Sequence, residues 1–328
     1  MAETRRKQKI GKWIGKYFLL IATVFVALMF GLMNHRFLYP ANLLNIVSTA
    51  SLVGTMAFGA MVVMATGEMN FGIGAEATLT ASLLGYLLHT RSVSVYVVAV
   101  LVSILAILLV ACWDAAMAVY IGVPAFIATL AISKINDGFI NILLSGKTLY
   151  STNWPSEFTF IGSKYVGPIP VLAIAFLLIA LSVWFLMDKT KLGRHIQAVG
   201  ENPVACRQVG INVRRVKTTA FLICSLLAGI GGVLACSKTN NIQPTLGSGM
   251  MMDAMSAAML GATFLRPGRF NVQGTVVAAI LTAIISNGIT FVGAPDFLKD
   301  VVTGTILIIA VGYIAMNRKD GLPSVKMG

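Results

Sequence analysis

The sequence predicts an all-α polytopic membrane protein with about ten transmembrane or re-entrant helices. Three observations support this: 57% of the 328 residues are hydrophobic, only 11% are charged, and the mean hydropathy is +0.84. A soluble domain carries roughly a quarter charged residues, and one core of this length could not bury so much apolar surface. Several apolar runs also approach the ~20 residues needed to cross a bilayer. The lipid bilayer is therefore the natural solvent for the chain.

Positive charge is concentrated in three short segments outside the apolar runs. Sixteen of the 25 Lys and Arg residues lie in residues 1–16, 188–217 and 317–328. Such clusters are typical of cytoplasmic segments under the positive-inside rule. We therefore predict a cytoplasmic basic N-terminus, a cytoplasmic loop and a cytoplasmic tail. Aromatic residues do not alternate with the basic ones, which argues against a nucleic-acid surface despite the net charge of +13.

Ten apolar runs define a single transmembrane domain over residues 17–316. The first run is long for the apolar core of a signal peptide and no small-residue cleavage site follows it, so we predict a retained span. An even number of runs agrees with both termini lying in the cytoplasm, and it places the turn-rich loop 145–170 in the periplasm. The predicted segments are Tyr17–Met33, 43–65, 75–88, 93–120, 124–144, 171–187, 218–236, 254–264, 272–292 and 301–316.

Two polar, glycine-containing stretches interrupt the apolar pattern, at residues 67–74 and 243–253. Exposed backbone groups are tolerated in a membrane only when they are buried in protein or line a wet cavity, so both are candidate pathway segments. Glycine that only permits close helix packing is the alternative. Segments 2–5 and 7–10 enter the membrane from opposite sides, which is consistent with an inverted repeat. The candidate pathway residues are Glu68, Asn70, Phe71, Gln243, Met251, Asp253 and Asn287.

Charged residues inside the apolar runs are informative because a charge at the bilayer centre costs ~2.5–3.5 kcal/mol or more. Lys134 and Asp137 are three residues apart on one helix face, which predicts a structural ion pair facing the interior of the bundle. Glu76 and Asp253 each precede or open a short apolar segment, where an acidic group could cap a helix. Asp114 has no obvious partner in the sequence.

No nucleotide-binding or catalytic motif stands out. Gly146, Lys147 and Thr148 resemble the end of a P-loop, but position 141, where the motif requires glycine, is Asn141. The four cysteines lack metal-ligand spacing and the three histidines are widely separated, so no metal site is predicted. We expect a chain that is not an enzyme and binds no cofactor directly.

The basic loop 188–217 contains signals for a short, complete helix. Asn202 is a favourable N-cap, Pro203 suits the first helical position, and Gly210 suits the position after the last helical residue. These signals predict a two-turn helix over residues 203–209. Two turns are marginally stable alone, so we expect this helix to dock onto another surface. An ordinary cytoplasmic connector is the alternative.

The same loop also carries a family resemblance. Leu192-Gly-Arg, Ala198-Val-Gly, Asn202-Pro and the run Gly210-Ile-Asn-Val-Arg-Arg-Val-Lys217 resemble the cytoplasmic loop of ribose-type permeases from bacterial ATP-binding-cassette sugar importers. Residues 67–74 are similar to that family's Gly-x-Ile-Asp-Leu-Ser-Val-Gly. Further similarities, in the same order along the chain, lie at 124–130, 243–263 and 287–293.

The resemblance implies a permease subunit in a bacterial inner membrane, moving a small polar solute by alternating access. It implies three partners: a cytoplasmic ATPase that binds ATP and magnesium, a periplasmic or lipid-anchored solute-binding protein, and a second or sister permease. The helix at 203–209 would be the coupling helix seated in the ATPase. The coupling residues so implied are Gly200, Glu201, Asn202, Pro203, Val204, Ala205, Arg207, Val209 and Gly210.

Departures from the family pattern leave the solute open. Asn70 replaces the family's aspartate, Gly72 its serine, and Met251 its usual glutamate. A monosaccharide, a polyol or a signalling sugar all remain candidates. The alternative class is an ion-coupled secondary transporter or channel that works without an ATPase. The capped helix favours the importer, because a secondary carrier needs no docking element for a motor.

Overall fold

The computed structural model describes residues 2–90, 96–150, 154, 156–295 and 297–317. The described residues are almost entirely helical, with two short antiparallel strand pairs, β1 with β4 and β2 with β3. The first three residues of the predicted segment 93–120 and the tail beyond Asn317 lie outside the described residues. The elements are α1 (Ala2–Met33), α2 (Pro40–Met64), α3 (Ile73–His89), α4 (Tyr96–Ala115), α5 (Ala125–Leu144), β1 (Leu149–Tyr150), α6 (Ser156–Ser163), β2 (Tyr165–Val166), β3 (Ile169–Pro170), α7 (Val171–Trp184), α8 (Lys191–Glu201), α9 (Pro203–Gln208), α10 (Val213–Thr239), β4 (Asn241–Ile242), α11 (Leu246–Gly261), α12 (Val272–Val292) and α13 (Phe297–Asn317).

The fold-class prediction of an all-α polytopic membrane protein is confirmed. Six helical spans among the described residues are long and apolar enough to cross a bilayer; they contain α2, α4, α5, α7, α10 and α12. Helices α4 and α7 each continue into a short π-helical turn, Ala116–Ile121 and Phe185–Lys189. The apolar part of α1 and helix α13 match the first and last predicted segments. Helices α3 and α11 have only 17 and 16 residues, as expected for segments that begin within the membrane.

Local sequence signals define where the helices begin. Pro40 occupies the first turn of α2, where a missing N–H costs nothing. Asn212 accepts a hydrogen bond from the Arg215 N–H at the start of α10 (3.0 Å), and Asn271 accepts one from the Gly274 N–H at the start of α12 (2.7 Å). These side chains satisfy donors that the first turn leaves unpaired.

Helices α2 and α10 form an antiparallel pair at the centre of the bundle. Gly59 of α2 packs on the backbone of Cys224 in α10. Gly231, about two turns later in α10, packs on Met56, about one turn earlier in α2. Small residues at such contacts let two helix backbones approach closely. The pair anchors the core, and both helices are largely buried.

The remaining contacts repeat around this pair. Helix α2 packs on α10, α11 and α12, whereas α10 packs on α2, α3 and α4. Helix α3 contacts α4, α5 and α11, while α11 contacts α12, α13 and α3. Exchanging the block α2–α5 with the block α10–α13 therefore leaves the pattern of neighbours nearly unchanged. This pattern supports the inverted repeat that the sequence suggested.

The two ends of the bundle are distinguished by contacts between distant segments. At one end, which we call the basic end, Lys217 forms an ion pair with Glu68, and Arg269 pairs with Glu201 at 2.6 Å. At the opposite end, β1 in the loop 145–170 pairs with β4. The predicted loop thus contains β1, the strand pair β2 with β3, and the short helix α6, none of which the sequence indicated. Residues 151–153 and 155 of this loop are outside the described residues.

Candidate functional site: a basic-end docking helix and two broken membrane segments

The basic loop folds into two helices rather than one. Helix α8 precedes the predicted short helix and is amphipathic, with Gly193, Ile196 and Val199 buried on one face. The absence of a side chain at Gly193 lets α8 cross the carbonyl groups of Leu186 and Met187. Helix α8 was not predicted from the sequence, although the spacing of its apolar residues is that of one helix face.

Helix α9 begins at the predicted residue, Pro203, and its flanking residues adopt the predicted capping conformations. The side-chain oxygen of Asn202 accepts hydrogen bonds from the N–H groups of Val204 (3.1 Å) and Ala205 (3.0 Å). Gly210 follows the helix with a φ of +81°, a conformation that glycine adopts without strain. The Ile211 N–H then donates to the Cys206 carbonyl at 2.9 Å, which closes the C-terminal turn. Regular helix ends at Gln208, one residue earlier than predicted.

One face of α9 packs against the bundle and the other is open. Cys206 is buried, whereas Val204 is 61% exposed and Val209 is 76% exposed. Arg207 lies on the exposed side, in the last turn of the helix. Two large aliphatic side chains on a short, fully capped helix beyond the membrane segments form an apolar contact surface. We call the exposed residues Val204, Arg207 and Val209 the α9 surface.

The base of α8 touches the start of the first broken segment. A methyl group at Gly200 would overlap the carbonyl oxygen of Ala65, the residue that follows α2. Gly67 has a φ of +85°, and the next residue, Glu68, forms an ion pair through its carboxylate with Lys217 near the start of α10. The predicted pathway residue Glu68 therefore lies at the basic end, beside the basic loop 188–217.

The first broken segment is held by side-chain hydrogen bonds instead of helical ones. The Asn70 side-chain oxygen accepts from the Gly72 N–H (2.7 Å), and its amide donates to the Glu76 carboxylate (2.9 Å). The Phe71 N–H donates to the Thr129 hydroxyl on α5 at 3.0 Å. Glu76 lies in the first turn of α3, at the helix start where the sequence suggested an acidic cap, and its carboxyl accepts from the Asn70 amide without forming a side-chain cap hydrogen bond.

Two glycines bring the two short helices together. Gly74 at the start of α3 and Gly247 at the start of α11 face each other, and a methyl group on Gly247 would overlap the Gly74 carbonyl oxygen. The Gly247 N–H also donates to the Thr78 hydroxyl at 2.8 Å. Asn70 and Gln243 each lie four residues before these glycines. The interrupted stretches thus meet inside the bundle as related halves, with α3 and α11 beginning at one crossing point.

The second broken segment differs from the sequence prediction in extent. Helix α11 begins at Leu246 rather than at residue 254, so Asp253 lies within the helix and cannot cap it. The Asp253 carboxylate instead binds the Lys299 ammonium group of α13 at 2.5 Å. Gln243 is exposed ahead of the helix, and Met251 lies against Gly74 at the crossing.

The other predicted residues lie away from the crossing. The Asn42 amide donates to the Asn287 side-chain oxygen at 2.9 Å, which joins the start of α2 to α12 near its end. Lys134 and Asp137 form an ion pair at 3.0 Å, but their side chains are 80% and 42% exposed. The expectation that this pair faces the bundle interior is wrong: it lies midway along α5 on the outside of the chain.

Broken helices that cross inside an all-α bundle, together with a capped, exposed short helix at one end, are the features expected of a membrane permease component. Residues 42–311 match the protein family described as "Branched-chain amino acid transport system / permease component". This match covers most of the chain, and the chain belongs to that family.

Curated relatives cover nearly the full length. The chain is 30% identical to "Ribose import permease protein RbsC" of Bacillus subtilis (strain 168), over 93% of this chain and 92% of that protein. It is 28% identical to the protein of the same name from Escherichia coli (strain K12), over 91% and 93%. It is also 27% identical to "Autoinducer 2 import system permease protein LsrD" of Enterobacter sp. (strain 638), over 89% and 90%.

These findings agree with the resemblance drawn from the motifs. The chain is a multi-pass permease subunit of an ATP-binding-cassette importer in the inner membrane, a translocation component and not an enzyme. Permeases of this class work with an ATPase and a solute-binding protein.

Proposed function

We propose that this permease imports a small polar solute, a monosaccharide or a related polyol or signalling sugar, and that a cytoplasmic ATPase drives it by docking on α9. The α9 surface is the observation that carries the proposal, since Val204 and Val209 have no apolar cover among the described residues. The ATPase holds ATP and magnesium, and the permease contributes the contact. The names of the relatives, which specify ribose and autoinducer 2 import, support a sugar-like solute.

The proposed mechanism transmits force from α9 to the crossing point. Closure of the ATPase moves α9 and with it α8, because only Asn202 separates the two helices. Helix α8 pushes on Ala65 through Gly200, and the Glu68–Lys217 ion pair ties the same region to α10. Movement there shifts the segment 67–72 and hence the contact between α3 and α11. Alternating access follows when this crossing opens to one side and closes to the other.

A second permease copy, or a sister permease, explains the outward-facing charges of α5. Lys134 and Asp137 lie in the middle of a membrane helix, where exposure to lipid costs several kcal/mol, on the order of the ~2.5–3.5 kcal/mol for a central charge. Gly138 and Asn141 share this side of α5 and are also exposed. We infer that this polar stripe faces the partner permease across a water-filled pathway.

The proposed orientation follows from the basic end. Both termini and the loop 188–217 lie in the cytoplasm, and the loop 145–170 faces the periplasm, where it meets the solute-binding protein. The concentration of Lys and Arg in residues 1–16, 188–217 and 317–328 supports this orientation. The contacts among Glu68, Glu201, Lys217 and Arg269 are consistent with it, because they bring four separate segments to one end of the bundle.

Substitution of the α9 valines tests the proposal. Val204→Asp combined with Val209→Asp places two charges on the α9 surface without touching the membrane helices, and we expect loss of ATPase co-purification. The ATPase is the one that co-purifies with the wild-type permease from its native membranes. Val166→Asp is the matched control, since Val166 is 56% exposed at the opposite end of the bundle. Equal ATPase recovery with the double variant and the control would contradict docking on α9.

A further inference from the structure

A buried pair of carboxyl groups lies where α3, α4 and α10 pack together. Glu76 of α3 and Asp114 of α4 are both fully buried, as are Cys224 and Ser225 on the facing side of α10. The two acidic residues are far apart in sequence, and neither belongs to the α9 surface. Nothing in the proposed transport mechanism uses Asp114.

Burial and the lack of donors require a proton on the two carboxyl groups. Glu76 and Asp114 are neighbours on the packed helices α3 and α4. One Glu76 oxygen accepts from the Asn70 amide. The other Glu76 oxygen and both Asp114 oxygens have no donor among the described residues. Carboxylates only accept, so the two groups form a hydrogen bond with each other only when one of them is protonated.

A second observation points to the same site. The Ser225 hydroxyl is fully buried on α10, lies near the Glu76 carboxyl, and has no hydrogen-bond partner within the part of the chain that the structure describes. A hydroxyl in this position can donate to whichever Glu76 oxygen does not carry the proton. Ser225 thus adds a polar wall to a site that is otherwise built from acids.

The charges around the pair do not compensate it. Among the described residues, Cys224 is a third titratable group beside Glu76 and Asp114, and a thiol carries no positive charge. Helices α5 and α11 also pack on α3, but their charged groups pair elsewhere, Lys134 with Asp137 and Asp253 with Lys299. Two carboxylates in contact cannot both ionise without a cation, and an unpaired buried charge is costly.

We propose that Glu76 and Asp114 form a proton-binding site within the membrane, and that its proton holds the first broken segment against α4. The O–H bond of one carboxyl donates to the other, and when the proton leaves, it passes to water and leaves two adjacent carboxylates. Hydrogen bonds run from the Gly72 N–H through Asn70 to Glu76, and the shared proton would extend this chain to Asp114. Loss of the proton therefore loosens residues 70–72 at the point where α3 begins.

Infrared spectroscopy of the purified full-length permease in lipid tests the site directly. We expect the C=O stretching band of a protonated carboxyl group at neutral pH, resistant to rapid exchange in D₂O because the pair is buried. The band disappears in the double variant Glu76→Gln and Asp114→Asn. It is retained in the control Glu68→Gln with Asp137→Asn, which removes carboxylates that are paired with lysines.

Absence of the band from the wild type, or its persistence in the double variant, would overturn the proposal. This measurement needs neither ATPase nor solute, so its outcome is independent of the proposed transport function. A bound sodium ion would give a different result: no protonated band, and stabilisation by sodium chloride relative to choline chloride. That result also overturns a proton site.

Discussion

At the scale of single residues, glycine determines how closely the coupling loop approaches the membrane helices. Gly200 packs on the Ala65 carbonyl, and Gly193 packs on the Leu186 and Met187 carbonyls within the π-helical turn that follows α7. Any side chain at these positions displaces α8 from the basic end. These contacts matter for the proposed mechanism, because α8 lies between α9 and the first broken segment.

Gly200→Ala should uncouple transport from ATP hydrolysis. Its methyl group overlaps the Ala65 carbonyl, so α8 must shift, at a cost of roughly 1–3 kcal/mol. We expect retained ATPase binding, since the α9 surface is unchanged, but uptake reduced at least several-fold. The control is Gly304→Ala, because Gly304 on α13 has open space around it. Normal uptake by Gly200→Ala would show that this contact does not transmit the movement.

Lys134 provides a residue-scale test of the proposed pathway. In a background where the exposed Cys112 is replaced by serine, Lys134→Cys should react with a membrane-impermeant thiol reagent in the assembled importer. Leu109→Cys, on α4 and 73% exposed, should not react because its surroundings are lipid. Equal reactivity of the two positions would remove the evidence for a wet pathway along α5.

At the scale of elements, the crossing of α3 and α11 brings the starts of two short helices into backbone contact inside the bundle. Each helix begins after a non-helical segment, and each has a glycine as its second residue that packs on the backbone of the other helix. Backbone contact at this point leaves no room for adjustment by side-chain rotation. The crossing therefore moves only if a whole short helix moves.

Gly247→Ala should destabilise the permease. The added methyl group overlaps the Gly74 carbonyl and the Thr78 hydroxyl, and overpacking of this kind costs roughly 1–3 kcal/mol. We expect a lower unfolding midpoint in detergent. Gly249→Ala, two residues further along the same helix, has open space and serves as a matched control. An unchanged midpoint for Gly247→Ala would show that α3 and α11 are not in close contact.

The elements that sequence reasoning identified are those with local signals. Apolar runs marked the membrane helices, and Asn202, Pro203 and Gly210 marked α9 almost to the residue. The start of α11 was misplaced because Gly247, Ser248 and Gly249 are typical of a loop. They are helical here because glycine permits the crossing with α3, a tertiary contact that local composition does not encode.

The misjudged side chains share a different cause. Lys134 and Asp137 pair as their spacing indicates, but a polar helix face looks the same in sequence whether it faces its own bundle or a second chain. Asp114 had no obvious partner because Glu76 lies far away in the sequence and on another helix. Contacts between distant segments became visible only once the bundle was assembled.

At the scale of the whole molecule, the permease is two related halves around the pair α2 and α10, with the drive applied at one end. In the proposed mechanism the ATPase docks at the basic end; the crossing of α3 and α11 lies between the ends, and the strand pair β1 with β4 covers the opposite end. This arrangement accounts for an otherwise apolar chain that keeps one polar, fully capped helix outside its membrane segments.

Uptake into liposomes tests this account most directly. The permease is reconstituted with the ATPase that co-purifies with the wild-type chain and with a solute-binding protein of the same organism, and the probe is a radiolabelled ligand of that binding protein. We predict uptake that requires ATP and magnesium on the ATPase side and is abolished when residues 203–208 are replaced by a Gly/Ser linker. Uptake by the permease alone without ATP, or undiminished uptake with the linker variant, would contradict a transporter driven through α9.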